Sequence, residues 1–171
     1  WNVNTDNKLQ NNTVLRLYCD DDNNILTALD EGIAYIHNNS LIYYYEPPFR
    51  IIGMVYDVLV WENGAYIASN QGLYWLKDGK TELVPGLEEL AWFVDEWGKQ
   101  IFCGHNKGTF FISGLKSKLV SVVKVGMCME KIELKEQSYL LEGAYALLNL
   151  YTEPDSGEYC FTRSLRGFNN M

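Results

Sequence analysis

The chain has 171 residues, a length sufficient for one sizeable core but too short for two domains. Its content of 47% hydrophobic and 14% aromatic residues is inconsistent with disorder. Its formal charge of −8, from 14 basic against 22 acidic residues, argues against nucleic acid or an anionic membrane surface as a partner. No segment approaches the roughly 20 apolar residues that span a bilayer, and no signal peptide is visible, so we expect no direct membrane contact from this segment.

Short apolar runs separated by polar turns predict four groups of four strands. The first group covers 13–19, 25–28, 33–37 and 41–45, and the second covers 55–61, 65–68, 73–76 and 81–84. The third covers 90–95, 101–103, 109–113 and 119–124, and the fourth covers 127–134, 139–141, 147–151 and 158–163. Helical periodicity is confined to 87–93, where the repeat favours strands instead.

A small residue followed four positions later by glycine recurs between the second and third strand of three groups. The pairs are Ala28 with Gly32, Ala68 with Gly72, and Gly104 with Gly108, and a degraded fourth copy pairs Gly143 with Leu147. The small residues are 40, 36 and 39 positions apart (28 to 68, 68 to 104, 104 to 143). These intervals are close to the roughly 40–45 residues of a four-stranded propeller blade.

The motif has a structural explanation. A tight turn needs a residue at positive φ, which assigns Gly32, Gly72 and Gly108 as structural turn glycines. An Asp or Asn two positions earlier helps to close the turn, and the small first residue lets neighbouring blades approach. We therefore predict an all-β chain of about four four-stranded antiparallel β-propeller blades, at 8–50, 51–88, 89–126 and 127–168. The whole of 1–171 is one propeller segment, expected to be a fragment of a larger propeller.

The repeat resembles a known family. The segments LQNNTVLRLYCDDDNNILTALDEGIAYI (9–36), YIASNQGLYWL (66–76) and IFCGHNKGTFFI (101–112) are similar to two-component-regulator propeller repeats. Such repeats form the extracytoplasmic sensor regions of Bacteroides-type hybrid two-component proteins and related transcription regulators. The resemblance implies a periplasmic location, detection of glycan breakdown products, and a triple-tyrosine domain and a kinase or DNA-binding output elsewhere in the protein.

Catalytic and metal-binding signals are weak. Asp20, Asp22, Asn24 and Glu31 imitate a calcium loop, but its obligatory glycine is replaced, so a solvated hairpin turn is favoured. The two histidines and four dispersed cysteines support neither a nucleophile–base pair nor a four-ligand metal site. We expect no cofactor, no metal and no enzymatic activity. The cysteines, which are Cys19, Cys103, Cys128 and Cys160, are expected to be buried free thiols, with disulfides as an alternative.

Propeller topology predicts where a ligand binds. The turns between the second and third strands and the connections between blades lie at the same face. That face should carry the candidate oligosaccharide-binding residues Asp30, Arg50, Asn70, His105 and Asn106. Ordinary solvated loops are the competing interpretation for each of them. The tryptophans at 61, 75, 92 and 97 are expected to pack within or between blades.

The sequence thus favours a sensor segment of a bacterial signalling protein. The alternative is a non-enzymatic protein-interaction propeller scaffold, which a large exposed apolar patch would favour. An open arc of blades also predicts self-association of the segment, or a homodimer of the full protein.

Overall fold

The computed structural model describes residues 4–5, 9–37, 42–44, 52–135, 137–145, 147–153 and 158–166. Within them, sixteen strands form four separate antiparallel sheets, each with its four strands in chain order. We call each sheet a blade. Blade 1 comprises β1 (Val14–Cys19), β2 (Ile25–Leu29), β3 (Gly32–Ile36) and β4 (Ile42–Tyr44), and blade 2 comprises β5 (Val55–Trp61), β6 (Gly64–Ser69), β7 (Gly72–Lys77) and β8 (Lys80–Glu88). Blade 3 comprises β9 (Ala91–Trp97), β10 (Gln100–His105), β11 (Gly108–Ser113) and β12 (Lys116–Ser121), and blade 4 comprises β13 (Gly126–Leu134), β14 (Gln137–Ala144), β15 (Leu147–Thr152) and β16 (Cys160–Arg166).

The predicted all-β fold and its fourfold repeat are confirmed. The region 87–93, where helical periodicity was detectable, contains the end of β8 and the start of β9. Leu147 begins β15 despite replacing the glycine of the motif, so the degraded fourth unit also forms a complete sheet. None of the described residues forms a helix long and apolar enough to cross a membrane.

The motif glycines are needed for two reasons. Gly72 and Gly108 have φ angles of 141° and 136°, which L-residues rarely adopt. In addition, a Cβ on Gly72 would lie 2.5 Å from the carbonyl oxygen of Leu87, and one on Gly108 would overlap the carbonyl oxygen of Ser121. In blades 2 and 3 the third strand therefore passes the fourth so closely at this point that no side chain fits.

The small residue of the motif lies where blades pack together. Ala28 is buried against Ile52, Val55 and Ile67 of blade 2. Ala68 is buried in a cluster with side chains of blade 3. A Cβ on Gly104 would overlap the ring of Phe93 and the backbone of blade 4 at Gly126. The predicted close approach of neighbouring blades is thus confirmed.

The first strand of every blade contains the same irregularity. Its pairing with the second strand skips one residue near its start, which is the signature of a β-bulge. The skipped residues are Leu15, Tyr56, Trp92 and Met127. A bulge changes the direction in which its side chain points. Two of these four residues belong to the candidate site described below.

The prediction for the cysteines was only partly right. All four are free, but only Cys103 is buried, in the cluster between blades 2 and 3, whereas Cys19, Cys128 and Cys160 are exposed. The exposed three lie on β1, β13 and β16, in the first and last blades. Most of the exposed large hydrophobic residues in the described part of the chain also lie in those blades, for example Leu17 and Leu134.

Candidate functional site

The turns between second and third strands lie at the same end of the sheets as the entries to the first strands. One backbone hydrogen bond repeats there in all four blades. The amides of Asp30, Asn70, Asn106 and Tyr145 donate to the carbonyl oxygens of Thr13, Met54, Leu90 and Val125, at 3.1, 3.0, 3.0 and 3.2 Å. We call the end formed by these eight residues and the bulge residues beside them the upper face.

Two bulge residues form an aromatic pair on this face. The rings of Tyr56 in blade 2 and Trp92 in blade 3 are stacked, with centroids 5.1 Å apart and planes at 20°. Both side chains are half-buried. The indole Nε1 of Trp92 donates to Oδ1 of Asn106 at 3.0 Å, which fixes the orientation of the ring. The pair therefore joins two blades and still presents aromatic surface to solvent.

Asn70 and Asn106 hold the upper face together with their side chains. Oδ1 of Asn70 accepts the amide of Met54 at 2.9 Å, while Oδ1 of Asn106 accepts the indole of Trp92. Among the described residues, neither Nδ2 amide has a hydrogen-bond partner. Both asparagines are half-buried. Each side chain is thus held by its own hydrogen bond, and the amide group of Asn106 lies beside the indole of Trp92.

His105 cannot contact a ligand as predicted, because its side chain is completely buried. Its Nδ1 accepts the amide of Lys107 at 3.0 Å, and its Nε2 is buried without a hydrogen-bond partner. Burial, reinforced by Lys107, lowers the pKa of the imidazole, with the Leu87 and Glu88 carbonyls and the Glu89 carboxylate opposing the shift. The histidine is therefore an internal support of its turn rather than part of the surface.

The two remaining candidate residues lie elsewhere. Asp30 is half-buried in the blade 1 turn, whereas the aromatic pair belongs to blades 2 and 3. Arg50 lies outside the described residues. Of the five predicted residues, the structure therefore places Asn106 in contact with the aromatic pair and Asn70 in the equivalent turn of blade 2.

Charged side chains border the site at the junction of blades 2 and 3. Nζ of Lys107 lies 3.6 Å from Oε2 of Glu88 and 3.9 Å from Oε1 of Glu89, and it donates to the carbonyl oxygen of Gly86 at 3.3 Å. Backbone amides, then Lys107, lower the pKa of Glu88. All three side chains are exposed, so the cluster contributes polar groups rather than stability.

The suspected calcium loop is a closed hairpin turn. Oδ1 of Asp20 accepts the amides of Asp22 and Asn24, and its Oδ2 accepts from the Asn24 side chain and the Tyr35 hydroxyl. These bonds, that from Tyr35 first, lower the pKa of Asp20 to about 2. Across the described residues, no three His, Cys, Asp or Glu side chains are grouped so as to hold a metal ion.

Sequence reasoning missed the aromatic pair. It did not single out Tyr56, and it assigned Trp92 to packing alone. A signal was present, because each ring lies 12 positions before the small residue of its repeat (56 to 68, 92 to 104). Recognising it requires knowing that this position is bulged. The prediction that tryptophans pack between blades holds for Trp61, Trp75 and Trp97, which cover the clusters there.

Comparison with known proteins defines the fold. No family model matches the chain, and no curated protein matches it. Among solved structures, the extracellular domain of the hybrid two-component system BT3049 from B. thetaiotaomicron matches with a TM-score of 0.69 and 13% identity, over 96% of this chain and 23% of that one. The extracellular domain of the one-component system BT4673 from the same organism matches with a TM-score of 0.63 and 13% identity, over 92% and 22%. The chain spans less than a quarter of these neighbours and shares their blade architecture.

Proposed function

We propose that the upper face binds a glycan fragment, and that the chain is part of the extracytoplasmic sensor region of a bacterial signalling protein. The observation that carries this proposal is the half-buried Tyr56–Trp92 pair with the Asn106 amide beside it. Sugar rings offer apolar C–H faces that stack on aromatic rings, and hydroxyls that accept from amide donors. The two structural neighbours support the sensor role, since both are named as extracellular domains of signalling systems.

The pair is suited to recognition because it is preorganised. Trp92 is held by Asn106, and Asn106 is held by its backbone bond to Leu90. A ligand that stacks on these rings meets side chains that are already ordered, so little conformational entropy is lost on binding. Binding across blades 2 and 3 would also couple the ligand to the packing between blades, which is a route for transmission to an output domain.

Calorimetric titration of the chain with a panel of oligosaccharides tests the proposal, with Trp92→Ala and Tyr18→Ala compared. Tyr18 is a matched control, being an exposed aromatic residue on β1. We expect a sugar that binds the unaltered chain and Tyr18→Ala equally, and Trp92→Ala about five- to tenfold more weakly, since one stacking contact contributes about 1–1.5 kcal/mol. No binding across the panel, or equal binding by both variants, would contradict it.

A protein-binding scaffold is a second candidate, favoured by exposed apolar residues near the upper end of blade 4. Tyr145 and Val122 are 84% and 75% exposed, and the bulge residue Met127 is 48% exposed. If a protein partner docks there, cross-linking from Tyr145 should capture it, and sugars should have no effect on that capture.

We also infer that the isolated chain self-associates through blade 1. Leu17 on β1 is 63% exposed, whereas Val58, at the same repeat position of blade 2, packs against blade 1. The repeat position that a neighbouring blade covers in blade 2 is therefore exposed in blade 1. This face of blade 1 is suited to packing against a blade of a second copy. Sedimentation should therefore detect association that Leu17→Glu weakens, and a monomer in both cases would refute the inference.

A further inference from the structure

In blades 2 and 3, an equivalent side-chain hydrogen bond closes the upper turn, but the accepting group differs. In blade 2, Oγ of Ser69 accepts the amide of Gln71 at 3.1 Å. In blade 3, Nδ1 of His105 accepts the amide of Lys107 at 3.0 Å. Ser69 and His105 occupy the same repeat position, and both are completely buried. Of the two groups, only the imidazole can take up a proton near neutral pH.

A second proton on His105 is incompatible with this turn. Because Nδ1 accepts a bond, the neutral ring carries its hydrogen on Nε2. The additional proton must therefore go to Nδ1, where it would face the N–H of Lys107. The Nε2 hydrogen makes no hydrogen bond, and the nearby Leu87 and Glu88 carbonyls and the Glu89 carboxylate only partly offset the cost of burial. A buried cation whose Nδ1 hydrogen faces another N–H is disfavoured, so protonation should open the turn.

The charged groups around the ring do not remove this conflict. The Lys107 ammonium opposes a second positive charge, whereas Glu88 and Glu89 favour it, and both carboxylates are exposed and already near Lys107. The other surroundings are uncharged, with the Phe110 ring edge-on at 5.8 Å and Ala91 and Gly108 paired beside His105. The balance agrees with the lowered pKa of the imidazole.

The same turn positions the aromatic pair. Asn106 follows His105 directly, donates its amide to Leu90, and accepts the Trp92 indole on its side chain. The carbonyl oxygen of His105 also accepts the amide of Val125 at 3.2 Å, at the entry to blade 4. Opening the turn therefore removes the acceptor that orients Trp92 and loosens the connection to blade 4.

We propose that His105 is a proton-sensitive latch that releases Asn106 and Trp92 in acid and so disorders the aromatic pair. As a regulatory device the latch rests on the proposed function, since the pair is the proposed glycan platform. As a structural device it can be tested without any sugar, so the two ideas can fail separately.

Amide hydrogen exchange by NMR, on the intact chain from pH 7.5 to pH 4.5, tests the latch. The readout is the protection of the Lys107 amide relative to the Gln71 amide, which the Ser69 hydroxyl caps. We expect the ratio to be constant near neutrality and then to fall by up to about tenfold per pH unit once the pH is below the pKa of the imidazole in the opened turn. The Trp92 indole N–H signal should shift over the same range.

The variant His105→Asn separates titration from the loss of the bond, because its Oδ1 can accept the Lys107 amide but takes up no proton. It should give a flat ratio and an unchanging Trp92 signal. If that variant does not fold, the comparison of Lys107 with Gln71 in the unaltered chain still decides the matter. An unchanged ratio down to pH 4.5, or an imidazole that titrates without affecting Trp92, would overturn the proposal.

Discussion

The interface between blades 2 and 3 differs in chemistry from that between blades 3 and 4. The first is an apolar cluster that includes Tyr66, Leu73, Val94 and Cys103. The second combines an aromatic cluster with a buried carboxylate, Glu142, which accepts from Thr109, from Asn149 at 2.9 Å and from Tyr151 at 2.5 Å.

One repeat position shows the same contrast between the interface of blades 1 and 2 and that of blades 3 and 4. Glu142 directly precedes Gly143 in the motif, as Ile67 directly precedes Ala68, and both side chains are completely buried. Ile67 packs against blade 1, whereas Glu142 reaches Thr109 of blade 3. The backbone repeat therefore fixes where a blade contacts its neighbour, and the side chain at this position decides whether the contact is apolar or polar. Polar contacts of this kind require matched donors on both blades.

The largest effect that we expect is for Glu142→Ile, which places the blade 2 chemistry in blade 4. The donors of Thr109, Asn149 and Tyr151 would lose their acceptor while remaining buried, at a cost of about 4 kcal/mol in the free energy of unfolding. Adding Thr109→Val and Tyr151→Phe should recover much of this loss, because two of the orphaned donors are then removed. Urea denaturation measures both variants, and a single substitution costing under about 1 kcal/mol would show that the polar contact is dispensable.

The turn glycine gives the next largest effect. Gly108→Ala requires both a left-handed backbone and space that the Ser121 carbonyl occupies, so we expect a loss of about 3 kcal/mol. Gly114→Ala in the same blade is the control, since its φ is 58° but no atom lies within 4 Å of the added Cβ. It should cost only about 1 kcal/mol. Equal losses on thermal unfolding would mean that the close approach of the fourth strand is unimportant.

A smaller, pH-dependent effect on stability is expected from the buried carboxyl group of Asp57 in blade 2. Asp57 pairs with Arg16 of blade 1 at 2.8 Å and accepts the amides of Val58 and, from blade 3, Val94. Burial, only partly offset by Arg16, raises its pKa from 3.8 to about 6. The folded chain thus retains a proton that the unfolded chain loses, and the resulting stability is present below pH 3.8 and lost as the pH rises through 6.

Relative to Asp57→Asn, the unaltered chain should therefore lose about 2 kcal/mol of stability between pH 4 and pH 7. Both proteins are denatured at each pH, and the difference between their free energies of unfolding cancels the contribution of every other titrating group. Parallel pH profiles for the two proteins would contradict the raised pKa of Asp57.

The fold was predictable from the sequence because its signals are local. Strand length, turn chemistry and the spacing of Gly32, Gly72 and Gly108 are all visible along the chain, and the structure follows them. The candidate site was less predictable. Asn70 and Asn106 were predicted because topology places their turns on one face. The burial of His105 depends on contacts with another blade, and the Tyr56–Trp92 pair depends on a bulge. Neither feature can be recognised from the sequence of a single repeat.

The most direct test of the account is to observe the tryptophan indoles by NMR while an oligosaccharide that binds is titrated. Trp92 reports on the upper face, and Trp61, Trp75 and Trp97 report on the packing between blades. We predict that the Trp92 signal shifts first and furthest, with the other three nearly unchanged. Saturable binding that leaves Trp92 in place while another indole shifts would contradict the assignment of this face as the site.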